Sequence, residues 1–269
     1  MLTLSTLNVN NVNMQRKSMK NILFISLFTV INLLAVSNYE VAKKNDAVMS
    51  GFEDSKSEMT MKLINAQGQT RIRQIKSKTL ELDGGDKSLM EFLSPADVKG
   101  TKFLNYEHAK KDDNQWLYLP ALKRVKRISS KNKSGAFMGS EFSYEDVSSF
   151  NIEKYDYVDK EAKENKLKNK DVYIVNRYPN YKYSGYTKQV SYIDKKTFLT
   201  LQIDYYDRKD FLLKSAYFSD YKLINGVYRN GTIHMKNFSN SKESILVWNK
   251  ESIKNGLSNK DFHKRVLKK

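Results

Sequence analysis

Apolar residues recur at every second position through most of the chain. Met59, Met61 and Leu63 alternate with Thr60 and Lys62, and beyond a turn at 65–68 a basic alternating run covers Arg71 to Lys76. Runs of the same kind follow at hairpin intervals, at residues 88–93, 101–106, 115–119, 125–129, 172–177, 189–193, 198–206, 212–218, 232–238 and 244–248. Turn signals such as Asp83-Gly84-Gly85, Asp112-Asp113-Asn114 and Asn225-Gly226 fall between them. This pattern predicts a mainly β fold, a meander of antiparallel strands. Only residues 39–52, with Val41, Ala42, Val48, Met49 and Phe52 loosely at helical spacing, read as a short helix.

Parity assigns faces to these strands. Leu199, Leu201, Ile203 and Tyr205 point one way, and Thr200, Gln202 and Asp204 the other, as a half-buried strand requires. Trp116 and Tyr118 share a face, with Leu117 and Leu119 opposite. That strand is apolar on both sides, which fits either burial on both faces or one face lining a cavity. An outer-membrane barrel needs an uninterrupted apolar outer band, whereas Lys62, Arg71, Arg73, Lys214 and Lys236 interrupt the strands here. The strands therefore read as those of a soluble domain.

The N-terminus has a different texture. Arg16, Lys17 and Lys20 precede Ile22 to Val36, a 15-residue stretch without charge, followed by polar Asn38, Tyr39 and Glu40. At about 1.5 Å per residue this stretch falls short of a hydrocarbon core of about 30 Å, so a cleavable export signal is favoured over a permanent anchor. Ala35 and Ser37 supply small residues at the spacing a signal peptidase reads, which places the signal at 1–37 and the mature domain at 38–269. Translation from Met14 or Met19 instead of Met1 would give a signal of ordinary length. The mature length fits one large or two small β domains. With neither a Pro/Gly/Ser-rich linker nor a repeat, one domain is favoured.

Composition and charge narrow the chemistry. Aromatic residues make up 12% of the chain against only 3 Pro, a folded and strand-favouring mixture. There is no cysteine, so disulfides, thiolate metal sites, Cys nucleophiles and lipid attachment at Cys are excluded together. The formal charge is +17; residues 1–37 hold three basic and no acidic side chains, which leaves 44 basic against 30 acidic and +14 after processing. Such a balance suits either an anionic surface or plain solubility. His108, His234 and His263 lack partners at metal-ligand spacing, and no metal or cofactor is expected. The common nucleophile, zinc and nucleotide motifs are missing too, so no residue is nominated for catalysis and the chain reads as a non-enzyme.

The unusual segment runs from Gln115 to Val147. Lys123, Arg124, Lys126, Arg127, Lys131 and Lys133 crowd into it, and Phe137-Met138 sits between Gly135 and Gly139. A basic run beside a glycine-flanked apolar tip would suit docking on an anionic headgroup or lipid surface; an exposed turn with solvated charge is the alternative. A nucleic-acid patch would also be basic and aromatic, but export argues against that partner.

The phrases WLYLP (116–120), KRVKRI (123–128) and FMGSEFSYED (137–146), with EFLSP (91–95), KGT (99–101) and a closing Phe262, Arg265 and Leu267, resemble the LolA-like outer membrane lipoprotein-sorting protein family. The resemblance spans roughly residues 40–267. It implies an incomplete, curved antiparallel β-barrel with a short N-terminal helix and a loop or helix lid, enclosing an apolar cavity. It also implies a periplasmic carrier that shields the acyl chain of a lipoprotein or other lipid and passes it toward the outer membrane. The branch concerned is linked to RND-type inner-membrane transporters, so an accessory subunit of such a transporter is the alternative. Each buried CH₂ is worth about 0.8 kcal/mol, so a chain of ~12 methylenes favours a dry cavity over water by roughly 10 kcal/mol.

On that reading Trp116, Tyr118, Leu199, Leu201 and Ile203 line the cavity, and Lys123, Arg124, Lys126 and Arg127 meet an anionic headgroup or membrane. Phe137 and Met138 form a movable lid tip. Protein recovered from the cell envelope is expected to begin near Asn38. N-terminal sequencing that finds residues 22–36 retained would replace the exported soluble domain with an anchored one.

Overall fold

The computed structural model describes residues 36–148 and 150–268, so all but the last two residues of the expected export signal lie outside the described residues. Helix α1 spans Asn38–Met49, in place of the expected 39–52. Ser37 caps it, its hydroxyl accepting from the Glu40 amide at 3.1 Å, and Glu40 in the first turn complements the helix dipole. Val41 and Ala42 are buried against Val175 and Ile193. The Val36 carbonyl accepts from the Ala162 amide at 2.8 Å, so a cut after Ser37 would remove both this contact and the helix cap.

The strands follow in two groups. The first is β1 (Asp54–Ile64), β2 (Thr70–Leu80), β3 (Lys87–Ser94), β4 (Lys102–Tyr106), β5 (Asn114–Leu119) and β6 (Arg124–Ile128), each antiparallel to the one before it. The second begins with β7 (Tyr155–Asp156), β8 (Lys163–Leu167), β9 (Lys170–Pro179), β10 (Tyr186–Asp194), β11 (Thr200–Asp207) and β12 (Leu212–Ser219). It continues through β13 (Lys222–Ile224), β14 (Val227–Arg229), β15 (Thr232–Asn237) and β16 (Glu243–Ile253).

Every expected strand is present. The four not anticipated, β7, β8, β13 and β14, are short or, like the Lys-Glu-Asn-Lys-Leu of β8, carry no apolar alternation. The β13–β14 hairpin stands apart as a two-stranded sheet. Its Asn225 and Gly226 both take positive φ (48° and 84°), as the tightest hairpin turn demands.

The remaining strands form one sheet of 14, ordered β6-β5-β4-β3-β2-β1-β16-β15-β12-β11-β10-β9-β7, with β8 also paired to β9. The sheet does not close. Its two halves meet in the middle, where β1 pairs with β16 through Ser57 opposite Glu251 and Met61 opposite Leu246. Bulges interrupt the register at Gln74/Ile75, Glu58/Met59, Tyr192/Ile193 and Tyr205/Tyr206, and each bends its strand and adds twist. The outcome is the open, curved antiparallel barrel expected, mainly β with one N-terminal helix.

Because β6 forms one free edge and β7 pairs near the other, the connection between them, residues 129–154, has to cross the concave face. Its middle is pinned in the core. Phe137 is 0% exposed, its ring 5.1 Å from Phe103, 5.5 Å from Tyr144 and 6.0 Å from Phe92. Met138 takes φ 51°, is half-buried on the same cluster and accepts from Arg73 Nη1 through its carbonyl at 2.5 Å. The movable tip expected from sequence is thus corrected: glycines flank this pair because the backbone turns sharply into the core, not because the tip swings free.

On the convex side of β3–β6 the C-terminal segment packs Phe262 and Leu267 against Leu104, Trp116 and Tyr118. The Tyr106 hydroxyl also donates to the Phe262 carbonyl. Phe137→Ala should lower stability by about 3–5 kcal/mol, the cost of emptying a filled aromatic site. Chemical denaturation checks this; a change below about 1 kcal/mol, typical of surface sites, would return Phe137 to the exposed tip.

Candidate functional site

Nine consecutive strands of the sheet, from β3 to β9, contribute side chains to a single cavity of about 1030 Å³ on the concave face. Small hydroxyl residues form its floor: Ser57 lies opposite Ser77, and Thr79 pairs with Ser55 on one side and Ser88 on the other. Small side chains at these inward positions leave the space that larger ones would fill. Met59, Ile203, Phe218, Ile233 and Trp248 supply apolar walls. Asn45, Asp46 and Met49 of α1 cover one side, and Phe142, residues 145–148 and residues 150–153 of the crossing segment cover another.

The crossing segment is fastened to both halves of the sheet. Gln115 Nε2 on β5 donates to the Tyr144 carbonyl (2.9 Å) and Ser148 Oγ (3.0 Å). On β12, Lys214 Nζ reaches Asp146 Oδ2 (2.6 Å) and the Glu141 carbonyl (2.8 Å). At the far end Lys154 joins Asp113 (2.7 Å) and Glu107 (3.1 Å), which flank the β4–β5 turn. Glu107 is almost wholly buried, and desolvation pushes its carboxyl up to about 7 despite the Lys154 ammonium beside it. Lys154, drawn by two carboxylates, is raised in spite of its own burial.

One end of the cavity is strongly polar. Arg177 on β9 stands directly opposite Gln189 on β10, donating from Nε (2.9 Å) and Nη2 (2.6 Å) to Gln189 Oε1. Gln189 Nε2 faces the Tyr155 hydroxyl at 3.5 Å. Glu145 beside this group accepts from the Tyr181 and Ser184 hydroxyls and the Gly185 amide; burial raises its carboxyl and these three donors pull it back. Across the cavity Arg229 pairs with Glu251 at 2.9 Å and lies over the Phe52 ring at 4.0 Å.

The residues nominated from sequence divide. Ile203 lines the cavity. Trp116 and Tyr118 do not: they face the convex side, packed against the C-terminal segment, and the concave face of β5 carries Leu117 in the core beside Phe103. Period two established that Trp116 and Tyr118 share a face but could not say which one, since both faces are apolar.

Leu201 is displaced by the bulge where Tyr192 pairs with Gln202 and Ile193 with Thr200, so Thr200 faces the cavity in its stead. Leu199 is buried at the entry to β11, outside the lining. Lys123, Arg124, Lys126 and Arg127 are exposed at the β6 edge, with Arg127 Nη2 donating to Asn114 Oδ1 at 2.8 Å. Trp248 and Arg177 were not anticipated. Arg177 had a legible signal, a charged residue at the inward parity of Val175, and Trp248 shares the parity of the buried Leu246 on β16. Among the described residues no cluster of His, Asp and Glu could hold a metal ion, and no helix is long and apolar enough to cross a membrane.

An open antiparallel sheet wrapped around a cavity, with one helix and a crossing segment over its mouth, defines a LolA-like fold. A LolA superfamily protein from Nitrosomonas europaea shares it at a TM-score of 0.71 and 16% identity, over 86% of this chain and 100% of that one. A putative outer membrane lipoprotein-sorting protein domain from Vibrio parahaemolyticus is 46% identical with a TM-score of 0.81, over 86% of this chain and 98% of the other. A DUF1329 family protein from Desulfovibrio piger is 32% identical with a TM-score of 0.80, over 86% and 97%. A family model described as "-like: Uncharacterized protein" matches residues 84–269. No curated protein matches the sequence. The chain belongs to the DUF1329 family and has the LolA-like fold.

Glu107 gives the crossing segment's anchor a pH dependence. Its folded carboxyl, near 7, lies above the ordinary 4.5, so between these values the folded protein holds a proton that the unfolded chain has released. Stability contributed by this group is therefore full below about 4.5 and is lost as pH rises through 7. Glu107→Gln should flatten that part of the stability profile, measured as denaturation midpoints across the range. Identical slopes in variant and parent would remove Glu107 as the titrating group.

Proposed function

We propose that this protein is a periplasmic carrier that shields the acyl chain of a lipoprotein or other lipid in its cavity and passes it toward the outer membrane. The observation that carries this reading is the cavity itself: about 1030 Å³, at the upper end of ordinary ligand sites, walled by apolar side chains on the concave face of a LolA-like sheet. A chain of that kind cannot cross an aqueous gap unshielded, because every exposed methylene costs about 0.8 kcal/mol. The lipoprotein-sorting description of the Vibrio parahaemolyticus domain points the same way. Periplasmic location follows from the export signal expected at 1–37. Lys123, Arg124, Lys126 and Arg127, exposed along the β6 edge, are the surface by which the carrier would meet anionic headgroups. The reading assigns no chemical step to any residue.

Trp248 in the cavity wall is the natural reporter. In a Trp116→Phe background it is the sole tryptophan, and titration with 1-monolauroylglycerol, a neutral twelve-carbon acyl probe, should give a saturable blue shift of its emission. Ser77→Phe, which fills the floor, should abolish that shift while leaving the protein folded. A folded parent with a flat signal, or a Ser77→Phe protein that responds like the parent, would overturn the carrier reading.

A further inference from the structure

Among the polar groups lining the cavity, Arg177 is in an unusual position. It is 7% exposed, and its only hydrogen-bond partner among the described residues is the neutral Gln189 amide. Its guanidinium carbon sits 4.5 Å from the Phe150 ring centre and 4.8 Å from that of Tyr155. These rings exclude water and attract the cation through their π faces, but neither carries a net charge to neutralise it. Arg229, the other arginine in the lining, has its counter-ion in Glu251 at 2.9 Å. Arg177 forms no ion pair with any described carboxylate.

The two cavity carboxylates carried by the crossing segment, Asp146 and Glu145, are committed elsewhere. Asp146 is held by Lys214 Nζ (2.6 Å), the Tyr186 hydroxyl (2.8 Å) and the Ser143 amide (2.7 Å). Glu145 accepts from Tyr181, Ser184 and Gly185. A guanidinium removed from water without an anion is costly, so a site of this kind gains most from a ligand that brings the missing charge.

We propose that this end of the cavity is an oxyanion site, in which Arg177 binds the anionic head of the amphiphile whose chain fills the apolar part. The proposal rests on the carrier reading and narrows its ligand class to acyl amphiphiles headed by a carboxylate or a phosphate. Of the five guanidinium N–H groups, those on Nε and one on Nη2 go to Gln189, which among the described residues leaves both on Nη1 and the second on Nη2. That free edge has the spacing for two parallel bonds to a planar carboxylate or to two phosphate oxygens. Gln189 fixes the plane of the fork and is itself held by Tyr155, so the donors are oriented before a ligand arrives. The Phe150 and Tyr155 rings, stacked on each other at 5.7 Å, form the wall behind it.

The test compares three twelve-carbon probes on the Trp116→Phe protein at pH 8: dodecanoate, dodecyl phosphate and neutral 1-monolauroylglycerol. Charge-assisted bonds of this kind predict that at least one anionic probe binds on the order of tenfold to a hundredfold tighter than the neutral one. Whichever of the two is favoured identifies the head. Arg177→Met should bring the anionic affinity down to the neutral value and leave the neutral affinity little changed, and Arg177→Lys should retain part of the preference. Equal binding of anionic and neutral probes by the parent would overturn the proposal while leaving the carrier reading in place. So would a preference that survives in Arg177→Met, or a loss of both probes together in that variant. Should Arg177→Met fail to fold, the parent's own ratio and that of Arg177→Lys decide. A parent that binds none of the three removes the carrier reading, and this site with it.

Discussion

The pairing of β1 with β16 governs the rest of the architecture. The first and last long strands of the domain lie side by side in the middle of the sheet, so the free edges belong to strands from the interior of the chain, β6 on one side and β7 to β9 on the other. Sequence continuity then forces residues 129–154 to run from edge to edge. An open sheet curved by bulges offers that segment a short route only across its hollow. The cavity's cover is thus a consequence of strand order, and its fastening by Gln115, Lys214 and Lys154 to opposite halves of the sheet substitutes for the hydrogen-bonded closure that the barrel lacks.

The same sheet solves its edge problem with charge. Unpaired strand edges invite pairing with other chains, and natural proteins blunt them with lysine and short or irregular strands. β6 carries Arg124, Lys126 and Arg127, and β8 is the five-residue run Lys-Glu-Asn-Lys-Leu. The basic strand therefore has a structural reason to be basic that is independent of any headgroup. The two roles are compatible, because an edge that repels like copies of itself also attracts an anionic surface.

How much of this was legible in the sequence depends on the kind of rule involved. Alternation located twelve of the sixteen described strands, because one apolar face per strand is a local requirement that each of those segments meets by itself. It misassigned Trp116 and Tyr118 because β5 is apolar on both faces, and the choice between concave and convex is made by the distant C-terminal segment with Phe262 and Leu267. It misplaced Leu201 because a bulge shifts parity by one residue without a local marker. Phe137 and Met138, expected as a movable lid tip, pack into the core instead. Glycine flanks permit a sharp turn into a core as readily as out of it. The role of the cavity's polar groups was not legible for a further reason: Arg177 gains its meaning only from Gln189 across the strand pair and from Glu145 and Asp146, which are bound elsewhere.

The distribution of polarity inside the cavity also constrains how a ligand lies within it. A uniformly apolar cavity holds a chain equally well in either direction, since burial energy scales with area and has no sense of orientation. Here the apolar wall of Met59, Phe218, Ile233 and Trp248 gives way to a group of buried charges and hydroxyls around Arg177, Gln189 and Glu145. Reversing an amphiphile would set methylenes against buried polar atoms and leave a polar head among apolar ones, and each mismatch costs the desolvation of a group without a partner. The cavity's two arginines differ in one respect that sets a direction: Arg229 has its counter-ion in Glu251, whereas Arg177 pairs with no described carboxylate. That direction is retained for as long as the crossing segment keeps water out of the polar end.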